Sequence, residues 1–385
     1  MGSIWNKIFK PRVKYEPLVK VRIFRNAILH NLKEFQQAHP NLQFAPVLKS
    51  NAYGHGMALV GKILDDQNLS FFMVDSFYEA LVLRQNRVKT KILILGFATP
   101  EQMLGGLKNI SFGIISLHQL KQTAEKVNKK INIHLKVDTG MHRQGILPEE
   151  IDEAILIIKY NPYISLEGLC SHLADADRES EEFTKKQIQL WNEIAEKFSP
   201  SGGSPGGGKF PNLKYFHLSN TAGAFYADKI FANVSRLGLG LYGYNQSPFA
   251  RLNLKPALEV SSVITSIKTI PSGEKVGYNC TYTSSGETRI ATLPLGYYEG
   301  LDRRLSNKGF VKIKNCFFPI VGRISMNMCS IDITQAGGVK VGDEVNVISA
   351  NPTDKNSIEN MVKLSGSTEH EFRIHIPQHL RREII

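Results

Sequence analysis

From about residue 44 to residue 236 the chain repeats one pattern eight times: a short apolar run, a polar break, then a segment with helical spacing. The apolar runs cover 44–48, 71–74, 91–95, 111–115, 131–137, 164–171, 215–218 and 231–236. The segments around them carry helix signals. In 25–39, Ala27, Ile28, Leu32 and Phe35 share one face and Pro40 ends it. Ser76 stands where a cap belongs, with Glu79 three residues on. Pro148 and two glutamates open the helix that runs to Tyr160. Strands that alternate with helices predict a parallel sheet, and eight of them predict an α/β fold closed as a (β/α)8 TIM-type barrel. Chemistry in such a barrel sits at the carboxyl ends of the strands.

The pattern breaks near Pro248 and Pro256. Beyond it, short apolar runs at 258–267, 288–294, 310–313, 317–321, 330–333 and 344–348 lie between glycine turns, which predicts a mostly-β C-terminal domain. One helix is expected at 357–364, capped by Ser357. The predicted division is a basic N-terminal extension over 1–17, a barrel over 18–248 and a β domain over 249–385. A Gly/Ser/Pro-rich stretch over 199–209 reads as a flexible surface insertion in the barrel. It is no phosphate loop, because Phe210 follows Lys209 where Ser or Thr is required.

Net charge is +12, but the basic residues are spread through predicted helices rather than gathered with aromatics, so nucleic acid is not the expected partner. No apolar run approaches the length of a membrane span. Cys170, Cys280, Cys316 and Cys329 are scattered without a C-x-x-C pair, which argues against a zinc ribbon or a disulfide scaffold and for a reducing cytoplasm. No metal site is expected.

Five strand ends carry polar groups that a barrel rim brings together. The first run delivers Lys49, then Ser50-Asn51-Ala52-Tyr53-Gly54-His55-Gly56. An amine at the end of a buried strand loses hydration, which lowers its pKa and makes it nucleophilic. The fifth run leads into Lys136-Val137-Asp138-Thr139-Gly140-Met141-His142-Arg143, the sixth ends in Ser171-His172, the seventh in Ser219-Asn220-Thr221, and the eighth at Arg236 before Gly238 and Leu239. Taken singly, each has an ordinary structural explanation. Lys136 can pair with Asp138, His172 can be a bonded core histidine, Asn220 a helix cap and Arg236 a surface arginine. Together on one rim they favour a site.

The string Lys-Ser-Asn-Ala-Tyr-Gly-His-Gly resembles the pyridoxal 5'-phosphate (PLP) attachment segment of the alanine racemase family, and further resemblance runs from about Val19 to Ile348. It implies a PLP-dependent isomerase that interconverts L- and D-alanine with two bases, supplying D-alanine for the bacterial cell wall. Lys49 is then the cofactor lysine and one base. Tyr53, His172, Asn220, Thr221, Arg236, Gly238 and Leu239 fall to the cofactor. Arg236 is the telling one. An arginine cannot accept a proton, so a pyridine nitrogen facing it stays unprotonated and the ring withdraws electrons weakly, which suits plain proton exchange at Cα. The segment Gly273–Tyr282 resembles the one with the family's catalytic tyrosine, which implies Tyr278 as the second base. From residues alone, a core-packed strand tyrosine is the plainer reading. A phenol with a pKa of about 10 needs a cationic neighbour to act as a base near neutrality, and His172 and Arg143 in series are expected to supply it.

The family further implies a homodimer with shared sites, in which one subunit's β domain completes the other's barrel. Arg143 and Met326 would hold substrate, Tyr297 would stand at the entrance, and Lys136 matches a lysine that is often carbamylated. The sequence departs from the family in three places: His142 stands before the arginine where glycine is usual, Asn327 follows Met326 where Asp is common, and no phosphate-binding tyrosine is recognisable over 374–382. The rival readings are a broader amino-acid racemase, a decarboxylase of the same plan (which would need an acid where Arg236 stands), a non-catalytic PLP-binding protein, and a basic nucleic-acid-binding protein.

Overall fold

The computed structural model describes residues 16–199, 210–245 and 247–385. The basic stretch through residue 15 and the insertion from 200 to 209 lie outside the described residues. The chain divides into two units.

One unit is Phe24–Ala257. Its strands are β2 (Gln43–Pro46), β3 (Phe72–Val74), β4 (Ile92–Ile94), β5 (Ile110–Ile114), β6 (Ile131–Lys136), β7 (Ile164–Cys170), β8 (Tyr215–His217) and β9 (Val234–Leu237). Strands β3 to β8 form a parallel sheet in chain order, and β2 pairs parallel with β9. Backbone bonds join these two pieces on both sides. Leu48 N–H donates to the Met73 carbonyl at 2.8 Å, beside a parallel bridge between Val47 and Met73. Asn233 N–H donates to Phe216 O and Arg236 N–H to Ser219 O, each at 3.1 Å. The eight strands thus close into the expected barrel. Four of them, β3, β4, β5 and β9, are buried along their whole length, which is why they read as continuous apolar runs rather than alternating ones.

The helices between strands vary in strength. Glu182–Phe198 is the longest, and it buries Ile188, Trp191, Ile194 and Phe198 against the sheet side while Trp191 Nε1–H donates to Phe231 O at 2.9 Å. Burying each such side chain stabilises the unit by about 1.5–3 kcal/mol. After β4 the helix is a single turn, Pro100–Met103, fixed by a Thr99/Gln102 capping box, and after β8 it is a 3-10 stretch, Ala222–Lys229.

The other unit joins Leu258–Ile385 to β1 (Lys20–Ile23). Here the structure departs from the predicted division, which placed 18–23 with the barrel. Val21 and Ile23 point inward while Lys20 and Arg22 are half-exposed, the period of a strand buried on one face. Strand β1 lies antiparallel to β10 (Leu258–Val263) and parallel to a C-terminal strand, Arg382–Ile384. Arg22 ties it down by donating to Glu259 at 2.9 Å and Glu344 at 2.8 Å. The remaining strands are β11 (Ser266–Ile270), β12 (Lys275–Val276), β13 (Tyr282–Thr283), β14 (Thr288–Leu293), β15 (Phe310–Ile313), β16 (Cys316–Val321), β17 (Cys329–Asp332) and β18 (Glu344–Ile348), with Arg382–Ile384 as β19. Nine strands form one sheet in the order β11-β14-β17-β16-β15-β18-β10-β1-β19, and β12 pairs only with β13. The predicted run 258–267 is broken into β10 and β11. The helix capped by Ser357 is present as Ile358–Ser365, with Ser357 Oγ accepting from Asn360 N–H at 3.2 Å.

Candidate active site

Lys49 leaves the barrel at the carboxyl end of β2 and is followed by an unusual backbone. Ser50, Asn51, Ala52 and Tyr53 all have φ between 51° and 55°, four consecutive non-glycine residues in the left-handed region. Such a turn has to be held. Glu79 accepts Ser50 N–H at 2.7 Å and Asp75 N–H at 2.8 Å. Asn51 Oδ1 accepts Met57 N–H at 3.0 Å, and buried His55 bonds through Nδ1 to the carbonyls of Ala52 and Tyr53, both at 3.0 Å. The lysine itself is less dry than its strand-end position suggested. Its side chain is 39% exposed and Nζ lies 3.8 Å from Asp75 Oδ1, because the left-handed turn carries it out to the rim.

Arg236, at the end of β9, is buried rather than a surface residue. Its Nη1 donates to His217 O at 2.6 Å and His217 Nδ1 at 3.1 Å; its Nη2 donates to His172 Nδ1 at 2.8 Å and Leu218 O at 2.8 Å. Among the described residues the Nε–H meets no acceptor. Among the described residues no carboxylate touches the guanidinium, and burial brings its pKa down to about 10. Arg236 can only donate, so Nδ1 of His172 is an acceptor. Burial first, then the charges of Arg236, Arg143, Lys136 and Lys49, hold the His172 pKa well below its ordinary value. His172 is thus a neutral imidazole. It is not the cationic neighbour expected from the sequence; what it can offer a phenol is an Nε2–H hydrogen bond.

Thr221 joins the loops after β8 and β9: its Oγ1 accepts Gly238 N–H at 3.2 Å and Gly240 N–H at 3.4 Å. A hydroxyl has two acceptor sites and one donor, so the proton of Thr221 is left to point elsewhere. Gly238 is glycine for space, since a Cβ there would meet Tyr53 Oη at 3.0 Å. Burial pushes the Tyr53 phenol up to about 12, with Arg236 acting in the opposite sense, so it is a donor. Leu239 opens the 3-10 turn that follows, Leu239–Tyr242. Asn220 is a cap: its Oδ1 accepts Gly223 N–H at 2.8 Å.

Lys136 is buried at the end of β6 and makes no pair with Asp138. Its Nζ donates to Gln144 Oε1 at 3.2 Å, while Asp138 Oδ1 takes the N–H groups of Gly140 and His142. Burial lowers the Lys136 pKa, and Arg236 and Arg143 push it the same way. Arg143 is exposed beside Asp138 and Gln144 in a cavity of about 620 Å³. Lys49, Lys136, Arg143 and Arg236 therefore all act on one half-buried imidazole, His172. A rim with this charge attracts phosphate and carboxylate groups.

The remaining expected residues lie in the β unit. Tyr278 is no core strand residue. It sits on a 3-10 turn, Tyr278–Cys280, between β12 and β13, and is 66% exposed. Tyr297, Tyr298, Met326 and Met328 are exposed as well. The backbone of 325–326 holds the tyrosine turn, with Ser325 O and Met326 O accepting Tyr297 and Tyr298 N–H at 3.1 and 2.9 Å. Asn327, where Asp is common, donates to Glu299 Oε1 at 2.7 Å, a bond an Asp carboxylate lacks the proton to make. Sequence reasoning missed Asp75, His217 and the backbone-holding role of Glu79. The only signal for His217 was a polar residue inside the apolar run 215–218.

The fold and this rim define a two-domain barrel enzyme whose site is built from one lysine and a set of cations for an anionic ligand. The comparisons with known proteins narrow that class. Residues 23–246 match the family model of the alanine racemase N-terminal domain and residues 257–384 that of the C-terminal domain. An alanine racemase of Methanococcus maripaludis is 35% identical over 90% of this chain and 93% of its own length. An alanine racemase of Clostridium difficile 630 superposes with a TM-score of 0.87 at 30% identity over 97% of both chains. Another, from Bacillus anthracis with bound L-Ala-P, gives 0.86 at 26% identity over 97% of this chain and 96% of its own. The chain belongs to the alanine racemase family of PLP-dependent isomerases. Among the described residues no helix is long and apolar enough to cross a membrane, and no cluster of potential metal ligands occurs.

Proposed function

We propose that this chain interconverts L- and D-alanine with PLP, Lys49 serving one face of Cα and Tyr278 of a second copy serving the other. The observation that carries the reading is the guanidinium of Arg236, locked by four hydrogen bonds with only Nε–H left to meet a ligand. An acceptor nitrogen suits that donor. The free proton of Thr221, the Tyr53 phenol and the bare backbone at Gly238 suit a phosphate, with Leu239 and Asn220 beside them. When bound, PLP supplies an aldehyde for the substrate nitrogen and a ring that shares charge from Cα. Lys49 Nζ then takes or returns the Cα proton on its side. His172 donates from Nε2 toward the phenol of Tyr278, which steadies the phenolate without carrying charge itself. Arg143 and the Met326 backbone hold the substrate carboxylate, and Tyr297 narrows the entrance. Burial favours the neutral amine of Lys136, the form that takes up carbon dioxide; the carbamate is an anion that can orient Arg143.

The exposed Tyr278, Tyr297, Tyr298, Met326 and Met328 of the β unit support a homodimer in which a second copy would cover them. The four unpaired cysteines support a cytoplasmic enzyme, and D-alanine for peptidoglycan is its use. The test is incubation with PLP and L-alanine in deuterated water, with borohydride trapping of a parallel sample. D-alanine with deuterium at Cα, and a reduced adduct on Lys49, are expected. Cofactor colour without exchange would leave a non-catalytic binding protein, and no adduct at Lys49 would end the proposal.

A further inference from the structure

Arg236 also heads a chain of buried polar groups that the proposed reaction does not use. His217 accepts from Arg236 at Nδ1, so as a neutral imidazole it carries its proton on Nε2. That nitrogen lies 2.8 Å from His134 Nδ1, which must then be the acceptor. The proton of His134 is accordingly on Nε2. This nitrogen is buried and has no hydrogen-bond partner among the described residues, but it lies 3.7 Å from Glu167 Oε2. Glu167 is the far end. It is paired with Lys91, bonded by Ser111 at 2.6 Å, and approached by Lys214 at 3.4 Å. Lys91 and Lys214 stand just before β4 and β8, at the amino end of the barrel.

Two backbone features place this chain. The β6–β7 register shifts so that Ile133 faces Leu166 and His134 faces Gly168, leaving Glu167 as the extra residue of a bulge. A bulge re-aims a side chain, here that of a buried glutamate. The His134 ring lies on the backbone of Gly168, where a Cβ would come within 2.3 Å of Nδ1. Burial lowers the pKa of His134 and of His217, in keeping with neutral imidazoles.

We propose that His217, His134 and Glu167 are positioning residues for Arg236: a one-way series of donors that fixes the guanidinium and ends its charge on a carboxylate at the opposite end of the barrel. The direction is set at the arginine, which has no acceptor to offer, and is closed at the glutamate, which has no proton. A buried cation without a touching counter-ion is costly. The two imidazoles relay the compensation while keeping the carboxylate away from the rim, where it would compete for a ring nitrogen. The proposal rests on Arg236 as the donor to the cofactor.

The test reads imidazole 15N resonances in the full chain without added cofactor, then kinetics in the loaded enzyme. His134 and His217 should both be neutral Nε2–H tautomers. The variants Glu167→Gln and His134→Asn each cut the last link, but only the first strips Lys91 and Lys214 of their partner. Both should mix the His217 tautomers and lower kcat about 10-fold, the scale of outer-shell substitutions, with KM little changed. A wild-type His217 protonated at Nδ1 overturns the proposal. So does a His134→Asn protein with wild-type tautomers and kcat, and this variant alone decides if Glu167→Gln fails to fold. Should the tautomers be as expected while no racemisation occurs, the relay stands and the reading of the site falls.

Discussion

The two segments that carry the proposed bases are built alike and supported differently. Lys49 is followed by four left-handed residues, and Tyr278 is flanked by Gly277, Asn279 and Cys280 with φ of 76°, 58° and 51°. Left-handed backbone costs a non-glycine residue about 1–2 kcal/mol, so neither turn forms for local reasons. The lysine turn is braced inside its own unit by Glu79, Asn51 and His55, and its Ala52 is fully buried. Among the described residues the tyrosine turn has one internal bond, Cys280 N–H to Gly277 O at 3.3 Å, a ladder of two residue pairs, and a single exposed brace at its end, where Asn307 Nδ2 donates to Thr281. The difference teaches that the lysine turn is finished where it stands. The tyrosine turn is presented on a surface, where a second copy, as proposed, would complete its setting.

The largest effect that tests this contrast is Tyr278→Phe. An exposed side chain that is only a base should cost racemisation about 10²–10⁴-fold while stability moves by no more than about 0.5 kcal/mol. Solvent exchange at Cα should persist for one enantiomer alone, the one Lys49 serves. Measuring deuterium uptake into L- and D-alanine separately decides it. Equal uptake into both, or an unchanged rate, would break the comparison by removing the tyrosine from the chemistry.

The braced turn yields a smaller effect of opposite character. Glu79→Ala takes one acceptor from two backbone N–H groups, those of Ser50 and Asp75. Both bonds are solvent-exposed, so water partly replaces the lost acceptor and the loss is the net worth of such bonds, about 0.5–1.5 kcal/mol. The unfolding free energy should fall by that amount, seen as a lower urea midpoint with an unchanged slope, and kcat should fall less than in Tyr278→Phe. An unshifted midpoint would mean that the left-handed turn stands without its clamp, and the two turns would then be equivalent.

Much of the barrel was legible because its signals are local. Buried parallel strands read as apolar runs, and Ser76 and Pro148 mark helix starts within a few residues of the chain. Strand β1 was not legible, since four residues pair with partners some 237 positions away, as between Arg22 and Glu259. The rim lysine and arginine were found by position on strands. The groups that hold them were not, because His134, Glu167 and His217 are single polar residues in three separate runs and only the closed sheet brings them into line. Glu79 was read as a cap for its own helix; its second use, on Ser50, spans 29 residues and leaves no periodic trace. Tyr278 was assigned from resemblance, and its exposure contradicts the packed strand that propensity alone would give.

His142 sharpens the contrast at its finest scale. It too is a non-glycine residue in the left-handed region, with φ of 51°, and it stands where glycine is usual. Its backbone N–H donates to Asp138 Oδ1 at 3.1 Å, a bond that glycine keeps. Its ring lies 3.9 Å from Asp138 Oδ2 but is 80% exposed, so the pairing is worth little. His142→Gly removes left-handed strain and adds freedom to the unfolded chain, and these partly offset. The expected result is a gain of about 0.5 kcal/mol in unfolding free energy, seen as a higher urea midpoint, with racemisation within about twofold because Arg143 next door keeps its place. A loss of stability would show instead that the exposed His142–Asp138 contact outweighs backbone strain. An unbraced left-handed residue would then be held by its side chain, as the Lys49 turn is held by its neighbours.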